Sequence, residues 1–313
     1  MEMLWILGGA VLLLALLFFA ICYICFYMAF YQPRGKKNVG ADAILPPGEL
    51  YAPFRECTRQ WAEEVRAMDH REYFITSFDG LRLRGRYYEF KPDAPIELMF
   101  HGYRGSAERD LAGGVRRAFA VGHSVMLIDQ RTSGKSEGNV ISFGINESKD
   151  CLGWVDLVIR EFGPEVKIIL TGISMGAATV LIAAGQKLPA NVVGVLADCG
   201  YSTAREIIQK TIRDMKLPVG PLYPFVKIAA RLFGKFDLEE TSPVEAVKNC
   251  TVPVIFFHGD ADDYVPSEMS RVNYEACNSQ KELVMIPGAG HGLAYPVAPE
   301  EYVAAMKKFF YGE

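Results

Sequence analysis

The chain opens on an unbroken apolar run and then changes rhythm. From Met3 to Tyr31, "MLWILGGAVLLLALLFFAICYICFYMAFY", no charged side chain occurs. Wound as an α-helix at about 1.5 Å per residue, this stretch exceeds the roughly 30 Å hydrocarbon core of a bilayer. It is therefore expected to cross with some tilt, residues 1–33 forming an anchor, and its interior glycines are no obstacle in lipid. A cleaved signal peptide would carry basic residues first, a shorter apolar core and a small-residue cleavage site. Here Glu2 precedes the run, whereas Arg34, Lys36 and Lys37 follow it. The positive-inside bias then puts the long C-terminal part in the cytoplasm.

Residues 34–70 read as a Gly- and Pro-rich linker followed by a short amphipathic helix. From about Pro53 to Met68, Phe54, Cys57, Trp61, Val65 and Met68 share one helical face, which packs on the following domain or lies on the bilayer surface. The remainder, residues 71–313, starts with period-two alternation on both sides of Asp79-Gly80, the signature of a β-hairpin. Short apolar runs such as "IELMF", "SVMLID", "VKIILTGIS" and "VPVIFFHGD" then alternate with stretches of helical spacing. That order predicts an α/β fold: an antiparallel opening, then a mostly parallel sheet with helices on both faces. The alternation breaks once, at about 203–240, where helical segments and three prolines replace a strand. This reads as an insertion covering one edge of the sheet.

Composition narrows the function classes. A hydrophobic share of 50% permits a large core, while a net charge of −4 and the lack of a basic, aromatic-interleaved block exclude nucleic acid as an expected partner. The seven cysteines include Cys22 and Cys25 inside the apolar run, and the other five are scattered singly. Neither a disulfide framework nor a zinc pattern results, so buried thiols are expected.

Candidate chemistry begins at "TGISMGAATVL", residues 171–181, which follows a strand-like run and opens a helix rich in small residues. Gly172 and Gly176 flank Ser174 at one residue's remove, as a tight strand-to-helix turn requires. Such a turn lifts the hydroxyl above the sheet and aims the helix dipole and the Met175 N–H at developing negative charge. The string alone also fits ordinary strand–helix packing, and a nucleophile needs an acid and a histidine after it in the chain. Five histidines are available. By position His70 and His123 face solvent, and His101 and His258 end strands where a ring can bond loop backbone. His291, in "PGAGHGLA", is the general base by elimination, its Nε2 toward Ser174. "HGDADDYVP" offers Asp260, Asp262 and Asp263 without the spacing of a calcium loop. Asp262 is preferred as acceptor of the His291 Nδ1 proton, and Asp198, ending "VLAD", is the backup acid with a structural role as its other reading.

In order along the chain, "HGYRGS", "DQRTSGKSEG", "GISMG", "HGDADDYVP" and "GAGHG" align with HGxxGS, DxRGxGxSxG, the nucleophile elbow, HGxxDxxVP and the histidine loop. From about Tyr73 to Phe310 the chain thus resembles the α/β-hydrolase superfamily. The likeness is to the branch joining serine-aminopeptidase-like and prolyl-oligopeptidase-like members, in its membrane-anchored bacterial form. Thr132 departs from the pattern where glycine is usual. The resemblance implies an eight-stranded-type sheet, the Asp262 assignment, and a second oxyanion donor from the Tyr103 backbone beside Gly102. It implies acyl transfer with no metal or cofactor, and a cap over the strand ends at the insertion. Leu217, Val219, Leu222, Tyr223, Phe225, Val226 and Phe233 in that cap either line an apolar acyl pocket or pack the cap on its own domain. The expected partners are a small acyl ester or lipid-like substrate and, through residues 3–31, the bilayer. A carboxylesterase or lipase-like activity is favoured over a serine peptidase, a thioesterase or a non-catalytic binding module.

Overall fold

Residues 1–33, 45 and 48–313 are described by the structure, a computed structural model. Arg34, Lys36 and Lys37, and with them most of the expected linker, lie outside those residues. The apolar run forms helix α1 (Glu2–Ala29), the one helix among the described residues long and apolar enough to cross a membrane. Residues 1–17 of α1 are exposed, but Cys22, Cys25, Phe26 and the following Phe30 are buried.

Helix α2 (Arg55–Ala67) buries Thr58, Ala62 and Val65 and joins a hydrophobic cluster with the domain, the packing alternative for that segment. Strands β1 (Arg71–Thr76) and β2 (Arg82–Tyr88) form the antiparallel hairpin. After it come β3 (Ile96–Phe100), α3 (Ala107–Val121), β4 (Ser124–Asp129), α4 (Ile145–Phe162), β5 (Ile168–Ile173), α5 (Met175–Ala184) and β6 (Val192–Asp198). The insertion supplies α6 (Ala204–Asp214) and α7 (Val219–Ala229). The chain closes with α8 (Pro243–Ala246), β7 (Val254–Gly259), α9 (Glu268–Ala276), β8 (Lys281–Ile286), α10 (Ala294–Val297) and α11 (Pro299–Tyr311).

The eight strands lie in the order β1-β2-β4-β3-β5-β6-β7-β8, antiparallel as far as the β2–β4 pair and parallel beyond it. Parallel strands covered on both faces bury every side chain, so they read as continuous apolar runs rather than alternating ones. Helices α4, α5 and α9 cover one face, where Leu98, Trp154 and Phe256 meet; α3 and α11 cover the other, where Met99, Leu127 and Phe257 lie. The insertion is not an edge cover. Its helices lie over the carboxyl ends of the central strands and pack in one hydrophobic cluster with the end of α1, because their apolar faces meet that helix and Met175 rather than an edge strand.

His123 does not face solvent as its polar turn suggested. Its ring is buried: Nδ1 lies 2.7 Å from Glu97 Oε1, and Nε2 bonds the Tyr311 hydroxyl. Glu97, the second residue of β3, also accepts from Arg117 Nη2 at 2.7 Å and Thr171 Oγ1 at 2.8 Å. A charge cannot stay in the sheet unpaired, so it gathers donors from α3, β5 and the turn before β4. Burial opposes ionisation of Glu97, but the Arg117 charge and the His123 hydrogen bond outweigh it and hold the carboxyl at about 2. An unfolded glutamate titrates near ~4.3, so this lowered value contributes stability that is complete above that pH and lost as pH falls toward 2. Glu97→Gln leaves the Arg117 charge buried without its partner. It is expected to lower the unfolding free energy by about 3 kcal/mol or more, read as a fall in the urea midpoint at neutral pH.

Candidate active site

Ser174 sits between β5 and α5 with φ 56° and ψ −117°, a left-handed φ that a residue bearing a Cβ adopts at a cost. Two close approaches explain the flanking glycines. A Cβ at Gly172 would stand 2.1 Å from the Gly176 carbonyl oxygen, and one at Gly176 would stand 1.9 Å from the Phe100 carbonyl oxygen at the end of β3. The turn is pinned on its other side by the Ser174 N–H, which donates to the Asp198 carbonyl at 2.8 Å. Met175 then opens α5, whose first-turn N–H groups have no intrahelical acceptor.

His291 follows β8 on its glycine-rich loop, and its backbone N–H donates to the Tyr51 hydroxyl at 3.1 Å. The ring bridges the two other residues: Nε2 is 2.9 Å from Ser174 Oγ, and Nδ1 is 2.7 Å from Asp262 Oδ2. Asp262 is buried after β7 and held from every side. Its Oδ1 accepts from the Tyr264 and Val265 N–H groups at 2.9 Å each, and His258 Nε2 lies 3.1 Å from its Oδ2. Burial alone would raise the Asp262 pKa, but the hydrogen bonds from His258 and His291 and the electrostatic pull of the His291 ring outweigh it and hold the carboxyl well below the usual range. A carboxylate kept ionised beside Nδ1 fixes the imidazole tautomer that leaves Nε2 free to accept from Ser174.

The other candidate acids lie elsewhere. Asp260 Oδ1 accepts from the Gly288 N–H at 2.6 Å, and Asp263 is exposed. Asp198 accepts from the Tyr302 hydroxyl at 2.9 Å and makes no described hydrogen bond to His291; burial raises its pKa. His101 and His258 bond loop backbone, at Gly102 O and Val265 O, as strand-end rings were expected to. Gly102 lies against Ser174, where a Cβ would be 3.5 Å from Ser174 Cβ, and its N–H is fixed by Asp110 Oδ2 at 3.0 Å. This sets Tyr103 beside the serine. Thr132, the departure from glycine, has φ 75°, which explains why glycine suits that position.

Two contributors had little or no sequence signal. His258 stands four residues before Asp262, a spacing visible only once the acid is known. Tyr51 belongs to the segment before the sheet, and nothing local marks its hydroxyl. Cys199 groups with Asp262 and His291, their ligand atoms within 4.8 Å of one another, the one such group among the described residues. Burial pushes the Cys199 thiol well up, however, and the other two atoms already serve Ser174 and each other, so the group is ill suited to a metal.

Above Ser174 and His291 opens a cavity of about 910 Å³. From the cap, Leu217, Leu222 and Val226 line it together with Ile207, Ile208 and Ile212. Other apolar cap residues pack instead: Tyr223 is buried in the cluster, Phe225 meets Phe18 at 5.6 Å, and Phe233 meets Tyr23 at 5.5 Å and Phe26 at 5.7 Å. Val219 packs against the same cluster. The two expected uses of the cap thus divide between its residues. Neither use foresaw that α1 would share the lining, through Ile21, Ile24, Cys25 and Met28.

Solved structures share the fold. The Pyrococcus furiosus esterase Pf2001 aligns with a TM-score of 0.63 at 22% identity, over 79% of this chain and 92% of that one. Est1E from Butyrivibrio proteoclasticus, with ferulic acid bound, aligns at 0.59 and 22% over 76% and 97%. An acylaminoacyl peptidase from Pyrococcus horikoshii aligns at 0.55 and 17%, over 79% of this chain but 42% of its own. In sequence, the uncharacterized protein YqkD of Bacillus subtilis is 26% identical over 249 residues, 79% of this chain and 81% of that protein. The profile of the prolyl oligopeptidase family, Peptidase_S9, matches residues 141–312, a stretch that contains Ser174, Asp262 and His291. That match spans over half of the chain, which therefore belongs to the prolyl oligopeptidase family and is a serine hydrolase of the α/β-hydrolase fold.

Proposed function

We propose that the protein is a membrane-anchored carboxylic ester hydrolase in which Ser174 is the nucleophile, His291 the acid–base and Asp262 its orienting carboxylate. The observation that carries this reading is the bridging imidazole, 2.9 Å from Ser174 Oγ on one side and 2.7 Å from Asp262 on the other. Ser174 Oγ attacks the ester carbonyl while its proton passes to His291 Nε2. The tetrahedral oxyanion is received by the N–H groups of Met175 and Tyr103, whose convergence matters because losing one such donor typically raises the barrier by about 2.7–4 kcal/mol. The acyl–oxygen bond then breaks, and the leaving alcohol takes the proton from His291. Water gives a proton to the freed Nε2 and attacks the acyl-serine; the second collapse returns that proton to Ser174 and releases the carboxylic acid.

A peptidase reading has one observation in its favour, the family match itself, since the same three residues cleave amides. The aliphatic side chains that the cap and α1 turn toward Ser174 favour instead an ester with an apolar acyl group. No step requires a metal or an organic cofactor.

Wild-type protein is expected to react with a fluorophosphonate probe at Ser174, and Ser174→Ala to remain unlabelled. With p-nitrophenyl butyrate, Asp262→Asn is expected to lower kcat by about 10⁴-fold, because the imidazole then rests in the wrong tautomer, while Asp198→Asn stays within about tenfold of wild type. Greater damage from Asp198→Asn would reassign the acid. The basic residues after α1 support a cytoplasmic hydrolase domain. Protease added to intact cells is therefore expected to spare residues 71–313, and protease added to inverted vesicles to digest them.

A further inference from the structure

We propose that α1 is a wall of the acyl pocket as well as an anchor, and that the substrate is a long-chain lipid ester that reaches Ser174 sideways from the bilayer along this helix. The proposal rests on the hydrolase reading above and adds the substrate class and the route.

The exposed part of α1 sets the depth of the domain. Residues 1–17 are exposed on every side, and the cap first meets the helix at the next turns, Phe18 to Ile24, through Phe225 on Phe18 and Phe233 on Tyr23. The cap also presents Met215, Leu217 and Leu232 as exposed apolar side chains. Such a surface suits the lipid boundary better than water.

The cavity opens at this level. Ile24 and Met28 on α1 line it yet remain 56% and 50% exposed, as do Met215 and Leu217 on the cap at 48% and 41%. Side chains that both line a cavity and stay half exposed form its rim, and this part of the rim is aliphatic. From the rim the lining runs inward past Ile21 and Cys25 to Ser174 and His291. The volume of about 910 Å³ lies at the upper end of the roughly 300–1,000 Å³ usual for small-molecule sites.

The end of α1 is also fastened to the catalytic loop. The Tyr103 hydroxyl donates to Ala29 O at 2.9 Å, and Arg104 Nη2 donates to Met28 O at 2.8 Å and Tyr31 O at 3.1 Å. The Ile141 N–H donates to Phe30 O at 2.8 Å and the Gln32 N–H to Asn139 O at 2.9 Å. A tether that served only to localise the enzyme would need none of these bonds. Here the residue proposed to offer an oxyanion N–H also grips the membrane helix.

The test uses full-length protein in phosphatidylcholine nanodiscs and compares labelling rates at Ser174 for ethyl and hexadecyl fluorophosphonates. Wild type is expected to react at least tenfold faster with the hexadecyl probe. Ile24→Trp, which narrows the pocket from α1, is expected to cut that ratio at least tenfold, and Leu14→Trp, on the lipid-facing part of the helix, to change it less than twofold. A ratio in Ile24→Trp within twofold of wild type would mean that partitioning alone sets the preference and would overturn the proposal. A second measurement needs no variant: a hexadecyl probe with a diazirine on its chain, bound at Ser174, is expected to crosslink to the peptide containing residues 21–28. Crosslinks confined to other segments overturn the route while leaving the hydrolase intact. Wild type that reacts with neither probe would instead defeat the hydrolase reading itself.

Discussion

The site depends on one backbone approach, that of the first turn of α5 against the end of β3. With the Gly176 position 1.9 Å from the Phe100 carbonyl oxygen once a Cβ is built on it, helix and strand touch through main chain alone. Ser174, the residue before that helix, is held at φ 56°, a conformation a residue with a Cβ adopts at a cost. The loop after β3 lies beside the hydroxyl at the same place, through Gly102. Ser174, the N-terminus of α5 and the neighbouring loop thus meet at one close backbone contact.

The second constraint is electrostatic. Asp262 is buried, and it stays ionised because two backbone N–H groups and two imidazoles converge on its oxygens. Glu97 solves the same problem lower in the sheet, with Arg117, His123 and Thr171 around it. The two carboxylates differ in what their partners can do. The Glu97 partners are locked between strand, helix and C-terminus, whereas His291 is part-buried and faces the cavity, with one nitrogen available to a reacting group.

Much of this was legible in the residues because the relevant signals are local. Buried parallel strands declare themselves as apolar runs, and the Asp79-Gly80 turn declares its hairpin. The order serine, acid, histidine survives in the chain even though its members meet only in space. What escaped depends on partners distant in sequence. His123 looked like part of a polar turn because nothing nearby shows that Glu97 and Tyr311 close over it. Tyr51 contacts His291 from 240 residues away. The resemblance put the insertion over the strand ends, where it lies, but its own residues suggested an edge cover, because a helical period shows that there is an apolar face and cannot show what that face meets.

The apolar run of α1 was ambiguous in a different way. Its composition says only that it prefers lipid, and a helix uniformly apolar around its circumference carries no stripe to mark which side touches protein. The structure breaks that symmetry near Cys22, after which one side faces the cap and the cavity. An apolar pocket makes the same demand on a side chain as hydrocarbon does, so Ile24 and Met28 line the cavity with no departure from the composition of the run. A helix of this kind can turn from exposed apolar run to cavity wall along its length with no change in residue type, which is why the point where it meets the cavity leaves no mark in the sequence.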